Sequence, residues 1–337
     1  MIRKAIFPLG ILLAAAAAGI ACGRADQAGQ QPEDAGKLVL GAETSLLPAT
    51  VWVAEAKGYF QEAGLEVEIR DFDSGRNALE AMLGDPGIDM ATVAQTPVIF
   101  NSFSNRNFRI IASMAYSVDD TKVLALKHRG ISTARDLIGK KVGVTLRSTG
   151  HYFLEGFLLH YGYSVNDVTL VDLDAAQLPK ALAGGELDAI TSWEPHIDAA
   201  QRIIESQDQA LLLSPTPFRK LFFFTVRSER LAVLREPLKR FLQALIRAER
   251  FIGDDPQEAQ RIVSRRLGLD SGLVSRLWPV FHFEISLEQS ILVSLEDEAH
   301  WAVRKGYSSG EGVPNYLDLI DWRILEGVDS GKVTLIH

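Results

Sequence analysis

Two short stretches hold the side chains best suited to gripping a small molecule. Arg147-Ser148-Thr149-Gly150-His151 sets a guanidinium, two hydroxyls and an imidazole side by side, and Trp193-Glu194 sets an indole beside a carboxylate. A guanidinium grips a sulfonate or carboxylate through two parallel hydrogen bonds, so Arg147 and the more distant Arg76 are candidate anion ligands. His151 can donate to the same anion. Trp193 offers a stacking wall for a planar or apolar body. Glu194 can pair with an amine, or simply stabilise the start of its own helix. Three further polar positions complete the set: Thr44-Ser45, Ser74 just before Arg76, and Gln95-Thr96. For each Ser and Thr the plain alternative is a helix N-cap with no contact to any ligand.

These residues share a local grammar. From Leu178 a short helix stops at Gly184-Gly185, Asp188 opens an apolar strand (Leu187 to Ser192), Trp193-Glu194 follows, and Pro195 stands at the first position of the next helix. From Ala78 the same order recurs: a helix to Gly84, a turn through Asp85-Pro86-Gly87, Asp89 leading Met90 to Ala94, then Gln95-Thr96 and Pro97. The copies lie about a hundred residues apart, too far for a solenoid repeat and suited to two similar lobes. In both, polar side chains and helix N–H groups stand beyond a strand's carboxyl end, where open α/β sheets bind ligands. The candidate loops should therefore face one another across a cleft.

In chain order, strands at 37–42, 65–70, 90–94 and 109–113 alternate with helices, which is an α/β pattern. The segment 122–126 is expected to cross to a second lobe that opens with Lys141-Val142-Gly143-Val144 and a helix capped by Ser148 or Thr149. Residues 211–217 should return to the first lobe, where Leu221 to Val226 forms a strand whose three phenylalanines pack mainly in the core. Beyond Arg235 the pattern is helical, with Leu238, Phe241, Leu242, Leu245 and Ile246 on one stripe, and this third is expected to pack around the first lobe. The expected division is 37–122 with 218–337 as lobe I and 123–217 as lobe II.

Residues 1–21 read as a secretory signal peptide: Arg3 and Lys4, an apolar alanine-rich run, then small residues before Cys22. Cys22 is the only cysteine, so no disulfide can form within the chain, and its place resembles a lipoprotein lipobox with Gly19 where an aliphatic residue is usual. Residues 22–36 are polar, Gln- and Gly-containing, and read as a lipid-anchor cysteine with a flexible tether. Removing the leader moves the net charge from −8 to −10, which argues against a nucleic-acid partner. The histidines lack metal spacing, and no P-loop, dinucleotide fingerprint or Gly-x-Ser-x-Gly elbow occurs, so neither metal nor cofactor is expected.

Taken together, Lys57-Gly58-Tyr59-Phe60, Gln95-Thr96-Pro97, the run Asp136 to Val144, Gly184-Gly185-Glu186-Leu187-Asp188-Ala189 and Trp193-Glu194-Pro195 resemble the nitrate/taurine/sulfonate-type substrate-binding proteins of ABC importers, a group that includes thiamine-precursor binders. The resemblance implies a type II periplasmic binding protein, with two α/β lobes joined by a two-segment hinge. It also implies a non-enzymatic lipoprotein, monomeric and outside the cytoplasm, that passes a solute to a membrane permease and its ATPase. A small organic anion is the expected solute. A planar, amine-bearing pyrimidine-like compound and, as a different class, a biosynthetic enzyme on the same fold stay open.

Overall fold

The computed structural model describes residues 36–204, 209–213, 218–308 and 312–337. The expected signal peptide, Cys22 and nearly all of the tether lie outside the described residues. Among the described residues, ten strands form two five-stranded sheets. The first joins β1 (Lys37–Glu43), β2 (Glu66–Phe72), β3 (Met90–Ala94), β4 (Phe108–Ser117) and β10 (Lys220–Arg227), in the order β2-β1-β3-β10-β4. The second joins β5 (Thr121–Leu126), β6 (Lys141–Val144), β7 (Thr169–Asp172), β8 (Ala189–Trp193) and β9 (Ala210–Leu213), in the order β7-β6-β8-β5-β9.

The two orders are the same pattern. In each sheet three strands run parallel, and the fourth position is an antiparallel strand: β10 beside β3, and β5 beside β8. The inner parallel strands β1, β3, β6 and β8 are mostly buried, as expected where helices cover both faces, whereas the edge strands β2 and β7 carry charged residues and stay partly exposed. This two-lobe arrangement is the type II periplasmic binding protein fold, as expected. The crossing itself differs from the expectation. β5 already begins at Thr121, so residues 122–126 belong to the second sheet and only Val118 to Asp120 pass between lobes. An apolar run such as Val123-Leu124-Ala125 is more stable paired on both edges, by β8 and β9, than spanning a gap. On the return, Ala210–Leu213 is likewise an edge strand of the second sheet, and residues 214–217 lie outside the described set.

The helical third packs on the first lobe. Helix α8 (Leu231–Asp254) buries Leu238, Phe241, Leu242 and Leu245, and Phe241 stacks on Phe60 at 5.4 Å. Helices α9 (Pro256–Leu267), α10 (Ser271–Leu277) and α11 (Gln289–Arg304) share the same core as β1, β3 and β10. Near the end of this helical third the chain is not one continuous helix: a 3₁₀ turn at Tyr316–Leu319 and a helix α12 at Trp322–Glu326 are separated where Ile320 bridges to Ile110 of β4. The second lobe has a core on each face of its sheet. Phe153 and Phe157 of α5 (Thr149–His160) fill one, and Leu178 and Leu182 of α6 (Leu178–Ala183) with Ile197 of α7 (His196–Ile203) fill the other.

Candidate functional site

A cavity of about 480 Å³ opens between the carboxyl ends of the two sets of parallel strands, within the usual size of a small-molecule site. The first lobe contributes the end of β1 (Glu43, Thr44, Ser45) and the start of α3 (Gly75–Gly84), with Asp73, Ser74 and Arg76. The start of α4 (Gln95–Ser102) adds Thr96 and Pro97. The second lobe contributes Ser148 and Thr149 at the start of α5 and Trp193, Glu194 and His196 at the start of α7. Thus α3, α4, α5 and α7 all begin at the cavity, and each brings N–H groups without an intrahelical partner.

Close packing brings these helix starts in. A Cβ on Gly75 would lie 3.0 Å from Thr92 O and 3.0 Å from Val93 Cα, so only glycine lets α3 settle on β3 this way. Ser74 caps α3 by accepting from Asn77 N at 3.3 Å. Ser148 caps α5: its hydroxyl donates to Thr145 O at 2.6 Å and accepts from His151 N. Both serines therefore perform the plain capping role while also facing the cavity. Thr44 donates to Phe72 O, and Ser45 Oγ accepts from Leu47 N. Pro195 proves to be the N-cap of α7 rather than its first residue, and the Glu194–Pro195 bond is cis.

Three residues expected at the cavity are elsewhere. Gln95 is buried beneath it: Nε2 donates to Glu298 Oε2 at 2.6 Å, and Oε1 accepts from Leu221 N at 2.9 Å. Arg147 sits at φ 56° and carries its guanidinium over the Tyr307 ring at 5.2 Å, so it faces the far side of α5. His151 is buried edge-on to Trp301 at 5.3 Å, where burial holds its pKa down and keeps the ring neutral. Arg76 stays at the exposed rim.

Sequence reasoning missed the charges at the cavity floor. Lys220, the first residue of β10, and Asp120, the last before β5, form a buried ion pair, their side chains 5% and 2% exposed. The pair ties the crossing segment just before β5 to the start of β10. Lys220 also lies 5.4 Å from the Trp193 ring centre and 5.0 Å from that of Phe222. Glu194 accepts from Lys122 Nζ at 3.0 Å and from Asp198 N at 2.9 Å, so it both pairs with a lysine and holds its own helix start. Burial nevertheless pushes its carboxyl pKa up. Glu43 accepts from Gly75 N at 3.2 Å, and its burial raises the pKa to about 7 against the pull of Lys220.

Beneath the floor lies Glu298, which is 0% exposed. It accepts from Gln95 and, at 2.5 Å, from Thr96 Oγ1, which is 2.7 Å from Thr149 Oγ1 of the opposite lobe. Burial lifts its pKa to about 7. The lobes also touch beside the cavity. Trp301 Nε1 donates to Glu155 Oε2 at 2.7 Å, Lys305 pairs with Glu155 at 2.7 Å, and Arg276 pairs with Asp198 at 3.1 Å.

A family model described as NMT1/THI5 like matches residues 48–259, well over half of the chain and spanning both lobes. The chain belongs to this family. Among curated members, the taurine-binding periplasmic protein of Escherichia coli is 27% identical over 212 residues, which cover 61% of this chain and 63% of that protein. The chain thus matches less than two thirds of that relative's length. Among solved structures, the periplasmic aliphatic sulphonate-binding protein of Escherichia coli superposes with a TM-score of 0.73 at 16% identity, covering 85% of this chain and 97% of that one. The alkanesulfonate-binding protein of Xanthomonas axonopodis pv. citri, bound to MOPS, gives a TM-score of 0.68 at 18% identity, covering 85% and 98%. For this NMT1/THI5-like chain, likeness at such identity establishes the fold, and the cavity lies where that fold places its cleft.

Proposed function

We propose that this protein is an exported, lipid-anchored solute-binding component of an ABC importer. In this reading it captures a small organic anion of the sulfonate class between its lobes and hands it to a membrane permease. The observation that carries the reading is the convergence of four helix starts on one cavity between two hinged lobes. A helix N-terminus stabilises an anion by about 0.3–1 kcal/mol, more when partly buried. The acidic side chains nearby offset this little. Asp120 is neutralised by Lys220, Glu194 is held by Lys122, and Glu43 is close to half protonated near neutral pH.

Export and anchoring rest on the sequence pattern of residues 1–22, and the relatives named as periplasmic binding proteins support the compartment. A binding role without catalysis fits those names. Transport energy would come from the partner ATPase, and a monomer suffices because one chain supplies both walls of the cleft.

A second reading, an amine-bearing planar solute, is favoured by Trp193 and Phe222 beside Glu43. A thermal-shift screen of the purified protein separates the two. The panel holds taurine, alkanesulfonates, nitrate, carboxylates, thiamine and its pyrimidine precursor. A ligand at a hundred times its Kd adds about 2.7 kcal/mol, a shift of several degrees. Hits among the sulfonates support the first reading, and hits confined to the pyrimidines replace it with the second. A cooperative melt that no member shifts counts against both.

A further inference from the structure

Glu43 Oε1 is buried against solvent yet has no hydrogen-bond partner among the described residues. No other carboxylate oxygen lining the cavity is in that state. Its sister Oε2 leans on Gly75 N, the first N–H of α3. Lys220, whose charge favours the ionised form of Glu43, is already committed to Asp120. Leaving such an acceptor unsatisfied costs a fold, so its place at the mouth of β1, facing the cavity, calls for a donor from outside the chain.

We propose that Glu43 is the receptor for a protonated amine on the captured solute, so that the solute carries a positive as well as a negative end. This rests on the reading that the cleft holds a solute. The two ends then have separate seats. The negative end meets the backbone N–H groups at the starts of α4 and α5, where the Thr96, Ser148 and Thr149 hydroxyls are already engaged within the protein, and the ammonium meets Glu43 beside the start of α3.

The proposal has a proton consequence. The charged and titratable groups facing Glu43 across the cavity are Asp73, Arg76, Asp120, Glu194, His196 and Lys220. Lys220 favours the ionised form and Asp120 opposes it, while burial dominates and leaves the carboxyl titrating at about 7. An arriving ammonium pairs only with the carboxylate, so the carboxyl proton leaves to the buffer as the ion pair forms. Ionised Glu43 rises about tenfold in population between pH 6 and pH 8, and affinity for an amine should rise by the same factor.

The test uses matched solutes that differ only in the amine: taurine with ethanesulfonate, and β-alanine with propionate. Titration calorimetry at pH 6, 7 and 8, in buffers of different ionisation enthalpy, reads affinity and released protons together. The expected result is at least tenfold preference for the amine member of a pair, tightening with pH and releasing protons at pH 6. Glu43→Gln keeps the acceptor for Gly75 N and removes the charge. It should abolish both the preference for the amine member of each pair and the pH slope of that preference. If anions bind with no preference for the amine, or if Glu43→Gln keeps that preference, the amine receptor is refuted while the solute-binding reading stands. If no solute in either pair binds, neither the anion seat nor the amine seat exists, and both readings fall.

Discussion

Glu298 offers the sharpest check on how the cavity floor is held. The carboxyl is wholly buried, its pKa is lifted from 4.5 to about 7 by desolvation, and its neighbours are the Gln95 amide and the Thr96 hydroxyl. Because the folded protein holds this proton more tightly than the unfolded chain, stability falls as pH rises from about 4.5 to about 7 and stays low above that. A shift of that size corresponds to about 3 kcal/mol. Glu298→Gln mimics the protonated acid. Its amide N–H donates to Thr96, which turns to donate to Thr149, and its carbonyl oxygen still accepts from Gln95. Thermal and urea melts should show the variant more stable than wild type by about 1–3 kcal/mol at pH 8 and nearly equal at pH 5. Glu43 titrates with the same sign but is present in both proteins, so it cancels in the comparison. Equal destabilisation at both pH values would refute the reasoning. It would mean that the ionised carboxylate, accepting from both neighbours, is the stable form.

Lys220→Met leaves Asp120 charged and alone in the floor, and urea unfolding should show a loss of about 3–5 kcal/mol. Adding Asp120→Asn should recover much of it, and a single-variant loss below 1 kcal/mol would show that the pair is not held in the fold as described. Gly75→Ala forces a methyl against Thr92 O and Val93 Cα, backbone that cannot swing aside, and should cost about 1–3 kcal/mol. Its melting temperature and its affinity for any solute found in the screen should fall together, since α3 carries one edge of the cavity; an unchanged melt would contradict that packing.

The repeated strand-to-helix grammar could be read directly because both signals are local. Met90 to Ala94 is an apolar run interrupted only by Thr92 and ended by a polar pair and a proline, and the strand occupies those residues. Ser74 and Ser148 could be read as caps for the same reason. What escaped depends on distance along the chain. Lys220 and Asp120 meet across 100 residues, and neither sits in a motif. Glu298 lies on an amphipathic helix, and only the turn of α4 reveals that it faces inward to Gln95 and Thr96. Arg147 shows the reverse error. Its neighbours Ser148 and Thr149 reach the cavity, but its left-handed backbone conformation turns the side chain toward Tyr307. Side-chain direction at a helix start is set by one dihedral angle that residue type alone does not dictate.

The Lys220–Asp120 pair lies beside the segment by which the chain crosses between the lobes, and a swing of the lobes must pivot at such crossings, whereas Thr96–Thr149, Glu155–Lys305 and Asp198–Arg276 reach from one lobe to the other. A bond at the pivot is made in both the open and the closed protein, so its energy cancels from the equilibrium between them. A bond across the jaws exists only when they are shut, and each ~1.4 kcal/mol there changes the closed-to-open ratio by about tenfold, and the apparent affinity with it while the open form dominates. Ligand strength in this protein can therefore drift through substitutions at Glu155, Lys305, Asp198 or Arg276, none of which lines the cavity, whereas a change at Thr96 or Thr149 alters the cavity itself.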